Sequence, residues 1–308
     1  MSQFPYLLAQ SNPAASYPSQ QLGGFLETIL AAGVVVLGVW LFVCLLRPGR
    51  LLLRGARGLA GGNGKASTEG LLEVRPVRAN RLNIVYLAAP FAVYVLSQKL
   101  LGTGIALAAG LTGKGQSLPP ELALPAIILS QVVLLGVSLM VARETFRFGL
   151  AWGLGLSGRH WIFDSLRAVV GYLAAMPLII LALDLTVRLM PWEWQHQHEL
   201  LKLLPAASPL AKTMVVISAA VLAPLCEEVY FRGLMQSLLR QYLPAWPAVV
   251  VASLVFALTH SPQWQDMPAL FVLALALGYN YERCGRLLAP VLMHAIFNLV
   301  MIIKALNP

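Results

Sequence analysis

The sequence predicts an all-α fold, a polytopic bundle of about eight membrane-spanning helices, and three observations lead to this prediction. Of the 308 residues, 58% are hydrophobic and only 11% are charged. The mean hydropathy of +0.73 is far above that of ordinary soluble domains. The apolar residues also gather in long runs, and about 20 such residues make a helix that crosses the roughly 30 Å hydrocarbon core of a bilayer.

The apolar runs define the predicted spans in order. They lie at about residues 24–46, 82–99, 122–142, 166–187, 210–240, 247–261, 269–284 and 287–304. The second and the last three are short, so the number of spans is approximate. The residues before the first run lack a basic stretch and the run itself is long enough to span, so we interpret it as an anchor rather than a cleaved signal.

The basic residues predict the orientation of the chain. The segment from Arg47 to Arg81 carries eight Lys or Arg, whereas residues 1–24 carry none. By the positive-inside rule this segment is cytoplasmic and the N-terminus lies outside. The same alternation continues at Arg143, at Arg240 and at Arg283. We therefore expect an integral protein of the cell (inner) membrane, with both termini outside if eight spans are present.

The N-terminal part is predicted to differ from the rest of the chain. Residues 1–81 comprise a tail, the first membrane helix and a basic cytoplasmic linker, and residues 82–308 form the multi-helix bundle. The stretch 55–70 is rich in Gly and small polar residues and has no interleaved aromatic residue. This composition is typical of a flexible linker and argues against nucleic acid as a partner, so the net charge of +9 is assigned to topology.

The cysteines point neither to disulfides nor to a metal site. Cys44, Cys226 and Cys284 all lie in or at the ends of apolar runs and show no paired spacing. This pattern predicts neither a disulfide framework nor a CxxC site.

The stretch "LAPLCEEVYFRGL", residues 222–234, places three ionisable residues in the fifth apolar run. Such groups usually face a partner or a water-filled cavity, and they indicate function by default. On a helix Glu228 and Arg232 are i and i+4 and can pair, while Glu227 is turned about 100° away. Glu227 is therefore the candidate general base, with Glu228 and Arg232 as structural support. A purely structural ion network fits these three residues equally well.

Two histidine motifs favour a catalytic site. "FALTH" ends at His260 in the sixth run, and "HAIFN" joins His294 to Asn298 in the eighth run. In each motif the end residues are i and i+4, on one face of a helix. A histidine at such depth needs polar partners, and convergence of these side chains with Glu227 would supply them. Pro224, one turn before Glu227, is expected to kink its helix there.

Together, "EEVYFR", "FALTH" and "HAIFN" fit E-E-x-x-x-R, F-x-x-x-H and H-x-x-x-N in that order. In this the chain resembles the CAAX prenyl protease and bacteriocin-processing (CPBP) family, the type II CAAX endopeptidase-like or Abi family of intramembrane proteases. The surroundings "APLCEEVYFRGLMQ" and "ERCGRLLAPVLMHAIFNLV" are also similar. The resemblance covers about residues 210–304, the protease-like core.

The resemblance implies a hydrolase that cuts a peptide bond of a membrane-associated or CAAX-like substrate. It implies that Glu227 and His260 activate the attacking water, and that His294 and Asn298 stabilise the oxyanion. The depths of these residues along their predicted helices place the site nearer the cytoplasmic half, and we expect it to open towards the cytoplasm. Glu227, His260 and His294 also have the ligand types of a catalytic zinc site. Family members are described both as metalloproteases and as metal-free, and the sequence, which lacks HExxH, does not decide whether zinc takes part.

Several alternatives follow from the same residues. A non-catalytic scaffold or immunity protein of the same fold would keep the helices without the chemistry. A transporter could relay protons through buried carboxylates, but it should show repeated halves, and the charged cluster occurs once. Cys226 could act as a nucleophile, although a buried apolar thiol is usually inert. The residues His196–Glu199 have metal-binding types but lie in a predicted outer loop.

Overall fold

The computed structural model describes residues 78, 80–110, 118–156, 160–190, 207–261 and 263–306. Within these ranges every regular element is a helix, and the β-type pairing is confined to an isolated bridge between Asn80 and Phe146. The prediction of an all-α bundle is therefore confirmed for this part of the chain. The predicted first span, most of the basic linker and the loop with His196–Glu199 lie outside the described residues.

Eight helices follow one another in the described ranges. They are α1 Ile84–Ala108, α2 Pro120–Thr145, α3 Leu150–Leu154, α4 Trp161–Leu189, α5 Pro209–Leu239, α6 Ala245–Leu258, α7 Met267–Cys284 and α8 Leu288–Leu306. All but the short α3 coincide with an apolar run that the sequence predicts as a span. Asn83 caps the start of α1 by accepting hydrogen bonds from the first-turn N–H groups, and Pro120 occupies the first turn of α2, where a missing N–H costs nothing.

Five of these helices are long and apolar enough to cross a membrane by length and composition. They are α1, α2, α4, α5 and α8, and α6 is apolar but shorter. The chain is accordingly an integral membrane protein, and the total of about eight spans stays a prediction. In α4 large apolar side chains such as Leu166, Val170 and Leu173 are exposed on the surface of the bundle, as expected for a face in contact with lipid.

Helix α5 lies at the centre of the bundle. Every residue of its segment Val229–Gln236 is buried, and the helix packs against α1, α2, α6 and α8. The buried apolar side chains around it include Leu134 of α2 and Phe256 of α6. A second apolar cluster joins α4 to α7 and α8, so the last two helices are held between α4 and α5. The charged residues of α5 are thereby placed inside protein rather than in lipid.

The loop between α7 and α8 is fixed by an ion pair. The Arg286 guanidinium bonds both carboxylate oxygens of Asp164 in the first turn of α4, at 2.8 and 2.5 Å. This hydrogen bonding raises the pKa of Arg286 above its ordinary value. Gly285 ends α7 in a left-handed conformation, φ 63°, and its carbonyl accepts a hydrogen bond from Arg78. The start of α8 is therefore tied to α4 and to the segment before α1.

Candidate active site

Helix α5 departs from α-helical bonding on both sides of its two glutamates. Segments Val216–Leu222 and Val229–Gln236 are π-helical, with i→i+5 hydrogen bonds, and the α-helical stretch Ala223–Glu228 lies between them. Long π-helical stretches are rare, and π-turns frequently occur at functional sites. The glutamates thus lie where the helix is widened on either side.

The predicted pair between Glu228 and Arg232 is present. Arg232 Nε lies 3.1 Å from Glu228 Oε2, and both side chains are almost fully buried. The guanidinium also donates from Nη2 to the Ala274 carbonyl of α7 at 3.0 Å and lies 4.9 Å from the ring centroid of Phe256 in α6. A buried charge needs such partners. Arg232 therefore binds three helices together around Glu228.

Glu228 also holds His294 of α8, a contact that spacing along the chain did not predict. Its Oε1 lies 3.0 Å from His294 Nδ1, and the imidazole is buried. Because a carboxylate accepts, Nδ1 carries the proton of this bond. Glu228 thereby fixes the orientation of the ring and directs Nε2 towards the other glutamate.

Glu227 is the more accessible of the two glutamates. Its side chain is 24% exposed, and its Oε2 lies 3.8 Å from His294 Nε2. That separation is too long for a hydrogen bond, and Oε2 has no hydrogen-bond partner among the described residues. Four groups therefore alternate in charge when His294 is protonated: Arg232, Glu228, His294 and Glu227. The arrangement leaves one carboxylate oxygen able to accept a further proton or hydrogen bond.

His260 lies just beyond the end of α6, which finishes at Leu258, so the predicted sixth span is slightly too long. Its Nδ1 is 2.9 Å from the Phe256 carbonyl, which fixes the proton on Nδ1 and leaves Nε2 as an acceptor in the neutral ring. The Phe256 ring contacts His260 at 4.8 Å and His294 at 5.7 Å between centroids. His260 makes no ion pair with Glu227 in the part of the chain that the structure describes.

Asp266, in the loop that follows His260, is a neighbour that sequence reasoning missed. Burial raises the pKa of Asp266, and the nearby His260 opposes that rise. The signal for it was weak, since an acidic residue six positions after a histidine in a polar loop has no distinctive spacing.

Asn298, one turn after His294, bonds to the backbone of α5. Its Nδ2 donates to the Ala219 carbonyl at 2.7 Å. The convergence predicted from sequence therefore takes a specific form: Glu227, Glu228, Arg232 and His294 meet, His260 is linked to them through Phe256, and Asn298 contacts α5 about two turns before the glutamates. The predicted catalytic roles of these residues stay predictions.

The donor atoms do not form a metal site as arranged. Among the described residues no group of three or more His, Cys, Asp or Glu side chains lies close enough to hold a metal ion. His260 is separate from Glu227 and His294, the other two predicted zinc ligands, and both nitrogens of His294 face carboxylates. The present geometry does not fit a three-ligand zinc centre.

Cys226 is engaged elsewhere. Its buried Sγ donates to the Gln131 carbonyl of α2 at 3.1 Å. A thiol held in this way is a packing and hydrogen-bonding group, in agreement with the interpretation that it is not a nucleophile.

Comparison with known proteins gives a family match in the C-terminal third of the chain. Residues 209–300 match the family model described as "Type II CAAX prenyl endopeptidase Rce1-like". The chain is also 35% identical over 86 residues to an "Uncharacterized 24.3 kDa protein" of Escherichia coli, a match that covers 26% of this chain and 39% of that relative. No solved structure matches the chain. All the candidate residues lie within the matched segment, so the similarity of residues 209–300 to the Rce1-like type II CAAX prenyl endopeptidase family covers the whole candidate site.

Proposed function

We propose that the protein is an intramembrane endopeptidase that hydrolyses a peptide bond in a membrane-associated, CAAX-like substrate. The observation that carries this proposal is the partly exposed Glu227 side chain, whose buried Oε2 lies 3.8 Å from an imidazole that a buried Glu228–Arg232 pair holds in place. A general base needs an unoccupied acceptor within reach of substrate and water, and its neighbours must be held in fixed positions. The family match of this segment supports the same reaction class.

In the proposed reaction Glu227 accepts a proton from water; the family resemblance assigns His260 to the same step, with Nε2 as its free acceptor. The water oxygen forms a bond to the scissile carbonyl carbon and produces a tetrahedral oxyanion. Protonated His294, held through Nδ1 by Glu228, donates from Nε2 to that oxyanion. The C–N bond then breaks, and the leaving amine takes the proton from Glu227. One water is consumed, and no step needs a metal ion.

The site geometry supports a purely structural ion network less well than it supports the catalytic proposal. A purely structural ion network is expected to be buried throughout, as Glu228 and Arg232 are, whereas the Glu227 side chain is 24% exposed. A scaffold would have no requirement for this second carboxylate. Substrate class and the site's opening towards the cytoplasm are parts of the proposal, drawn from the family match and the charge pattern.

The test uses the full chain in proteoliposomes. Three peptides are offered: one ending in a prenylated Cys-a-a-X sequence, the same peptide without the prenyl group, and a single-span membrane helix, with products identified by mass spectrometry. We expect cleavage of the prenylated peptide by the wild type and a loss of about 100- to 10,000-fold in Glu227→Gln. Glu144→Gln, at an exposed position near the end of α2, is the matched control and should cleave normally.

Each result has a defined meaning. Cleavage of the membrane helix instead would retain the protease and reject the CAAX-like substrate. Equal cleavage by Glu227→Gln would remove Glu227 from the mechanism. If a folded wild-type chain cleaved none of the three peptides, the scaffold would become the better account.

A further inference from the structure

The Ala219 carbonyl in α5 receives no hydrogen bond from the two donors that its own helix would normally offer. The N–H of Ala223, its i+4 neighbour, donates to Ser218 in the i→i+5 pattern. The next donor in that pattern is residue 224, which is proline and has no N–H. An unsatisfied carbonyl within a membrane span costs several kcal/mol. Pro224 thus ends the first π-helical segment and leaves Ala219 in need of an external donor.

Asn298 supplies that donor. Its Nδ2 lies 2.7 Å from the Ala219 oxygen, and it comes from α8, which packs against this part of α5. A side-chain amide has the same N–H chemistry as the peptide group that proline lacks. The bond therefore replaces, from another helix, the hydrogen bond that the sequence of α5 makes impossible.

The same helix face carries His294. His294 and Asn298 are i and i+4 on α8, so their side chains lie one above the other. His294 bonds Glu228, whereas Asn298, which comes later on α8, bonds Ala219, which comes earlier on α5. The two helices therefore run antiparallel. Two bonds at different heights fix both the register and the rotation of α8. A change in register would move His294 Nε2 away from Glu227.

We infer that Asn298 is a positioning residue: its amide takes the place of the N–H that Pro224 lacks, and this bond holds His294 in register with Glu227 and Glu228. This differs from the oxyanion-binding role that the family resemblance implies, because the amide donor is directed at backbone. The activity readout below rests on the proposed protease function, whereas the stability readout does not.

A double-mutant cycle between Pro224 and Asn298 tests the inference. Pro224→Ala restores an N–H where the i→i+5 pattern reaches the Ala219 oxygen, which makes the Asn298 amide redundant. In the wild-type background we expect Asn298→Ala to lower the unfolding temperature by about 5 °C. In the Pro224→Ala background the same change should lower it by less than half as much. Asn298→Leu, which keeps a side chain of similar size but has no donor, should behave like Asn298→Ala.

Cleavage by the wild type, Pro224→Ala, Asn298→Ala and the double variant distinguishes a positioning role of Asn298 from oxyanion binding. We expect Asn298→Ala to reduce kcat more than it changes KM. Adding Pro224→Ala to the Asn298→Ala chain should raise kcat at least tenfold. An equal loss of kcat in both backgrounds, without coupling in unfolding temperature, would overturn the inference and favour direct contact with the oxyanion. An Asn298→Ala chain that folds only with Pro224→Ala supports it, and one that folds in neither background contradicts it. If the wild type cleaves nothing, the temperature coupling alone decides.

Discussion

At the scale of single residues, Glu227 and Glu228 are neighbours in sequence with opposite surroundings. Glu228 is fully buried and lies within 3.1 Å of both a guanidinium and an imidazole, whereas the Glu227 side chain is 24% exposed and comes no closer than 3.8 Å to the same imidazole. Glu228 therefore pairs with the Arg232 charge and fixes the orientation of the His294 ring. The partly exposed Glu227 is available for proton transfer, which is the division of labour that the protease proposal requires.

Glu228→Gln should therefore destabilise the protein strongly. The change leaves the buried Arg232 charge unpaired, and loss of one partner of a buried pair costs about 3–5 kcal/mol. Glu227→Gln should change the free energy of unfolding by no more than about 1 kcal/mol, since that side chain is partly solvated. Thermal unfolding of the two variants in detergent makes the comparison, with Glu144→Gln as an exposed control. Similar losses for Glu227→Gln and Glu228→Gln would contradict the assigned difference.

At the scale of helices, the position of α8 depends on how its beginning is held. Arg286, just before α8, makes two bonds to the buried Asp164 of α4. Near its middle α8 is bonded to α5 through Asn298. His294 lies between these two attachments, so its distance from Glu227 depends on both.

Asp164→Asn should loosen the first attachment. The change removes the charge from a fully buried partner of Arg286, whose own side chain is 23% exposed, and should lower the free energy of unfolding by about 2 kcal/mol. Asp184→Asn is the matched control in the same helix, because the Asp184–Arg188 pair is exposed and such pairs contribute about 0–1 kcal/mol. Equal effects of the two substitutions, measured by thermal unfolding, would show that Arg286 does not anchor α8.

Most helices could be predicted because long hydrophobic runs indicate them, although the run 82–99 ends nine residues before the end of α1 at Ala108. The run 210–240, for example, corresponds to α5 at Pro209–Leu239. The π-helical segments could not be predicted, since a uniformly apolar run has no period that separates i→i+4 from i→i+5 bonding. Pro224 predicted a disturbance there, but not its form.

The candidate site could be predicted in part, because pairs within one helix follow from spacing and pairs between helices do not. The i,i+4 pair of Glu228 and Arg232 was of the first kind. The bonds from Glu228 to His294 and from Asn298 to Ala219 were of the second kind, since they depend on the register of α8 against α5. His260 was placed within a helix, although Pro262 follows it in the sequence and disfavours helix just before itself.

At the scale of the whole molecule, the loops that carry basic residues lie at one end of the bundle and are joined there by hydrogen bonds. Residues near the start of α1 contact the end of α2 through the bridge of Asn80 and Phe146, and Gln241 after α5 bonds Asn80 at 2.5 Å. The opposite end has its own contact, from Ser208 to Glu121 at 3.0 Å. The positive-inside rule assigns the basic end to the cytoplasm.

Cysteine labelling tests this orientation. Phe148, 61% exposed after α2, and Glu121, at the start of α2, are replaced singly by Cys in a chain whose Cys44, Cys226 and Cys284 are changed to Ala. A membrane-impermeant maleimide should label the Cys at 121 in intact cells and the Cys at 148 only in inverted vesicles. The reverse pattern would place the basic end outside and contradict the proposed cytoplasmic site.

The central claim is that Glu227 makes this membrane protein a protease, and a comparison of protein termini in cells tests it most directly. New termini in the membrane proteome are measured in cells with the wild-type chain and in cells with Glu227→Gln, at matched expression and with Glu144→Gln as control. We predict a set of termini near membrane anchors that is present with the wild type and the control and absent with Glu227→Gln. Identical termini in all three would contradict the account.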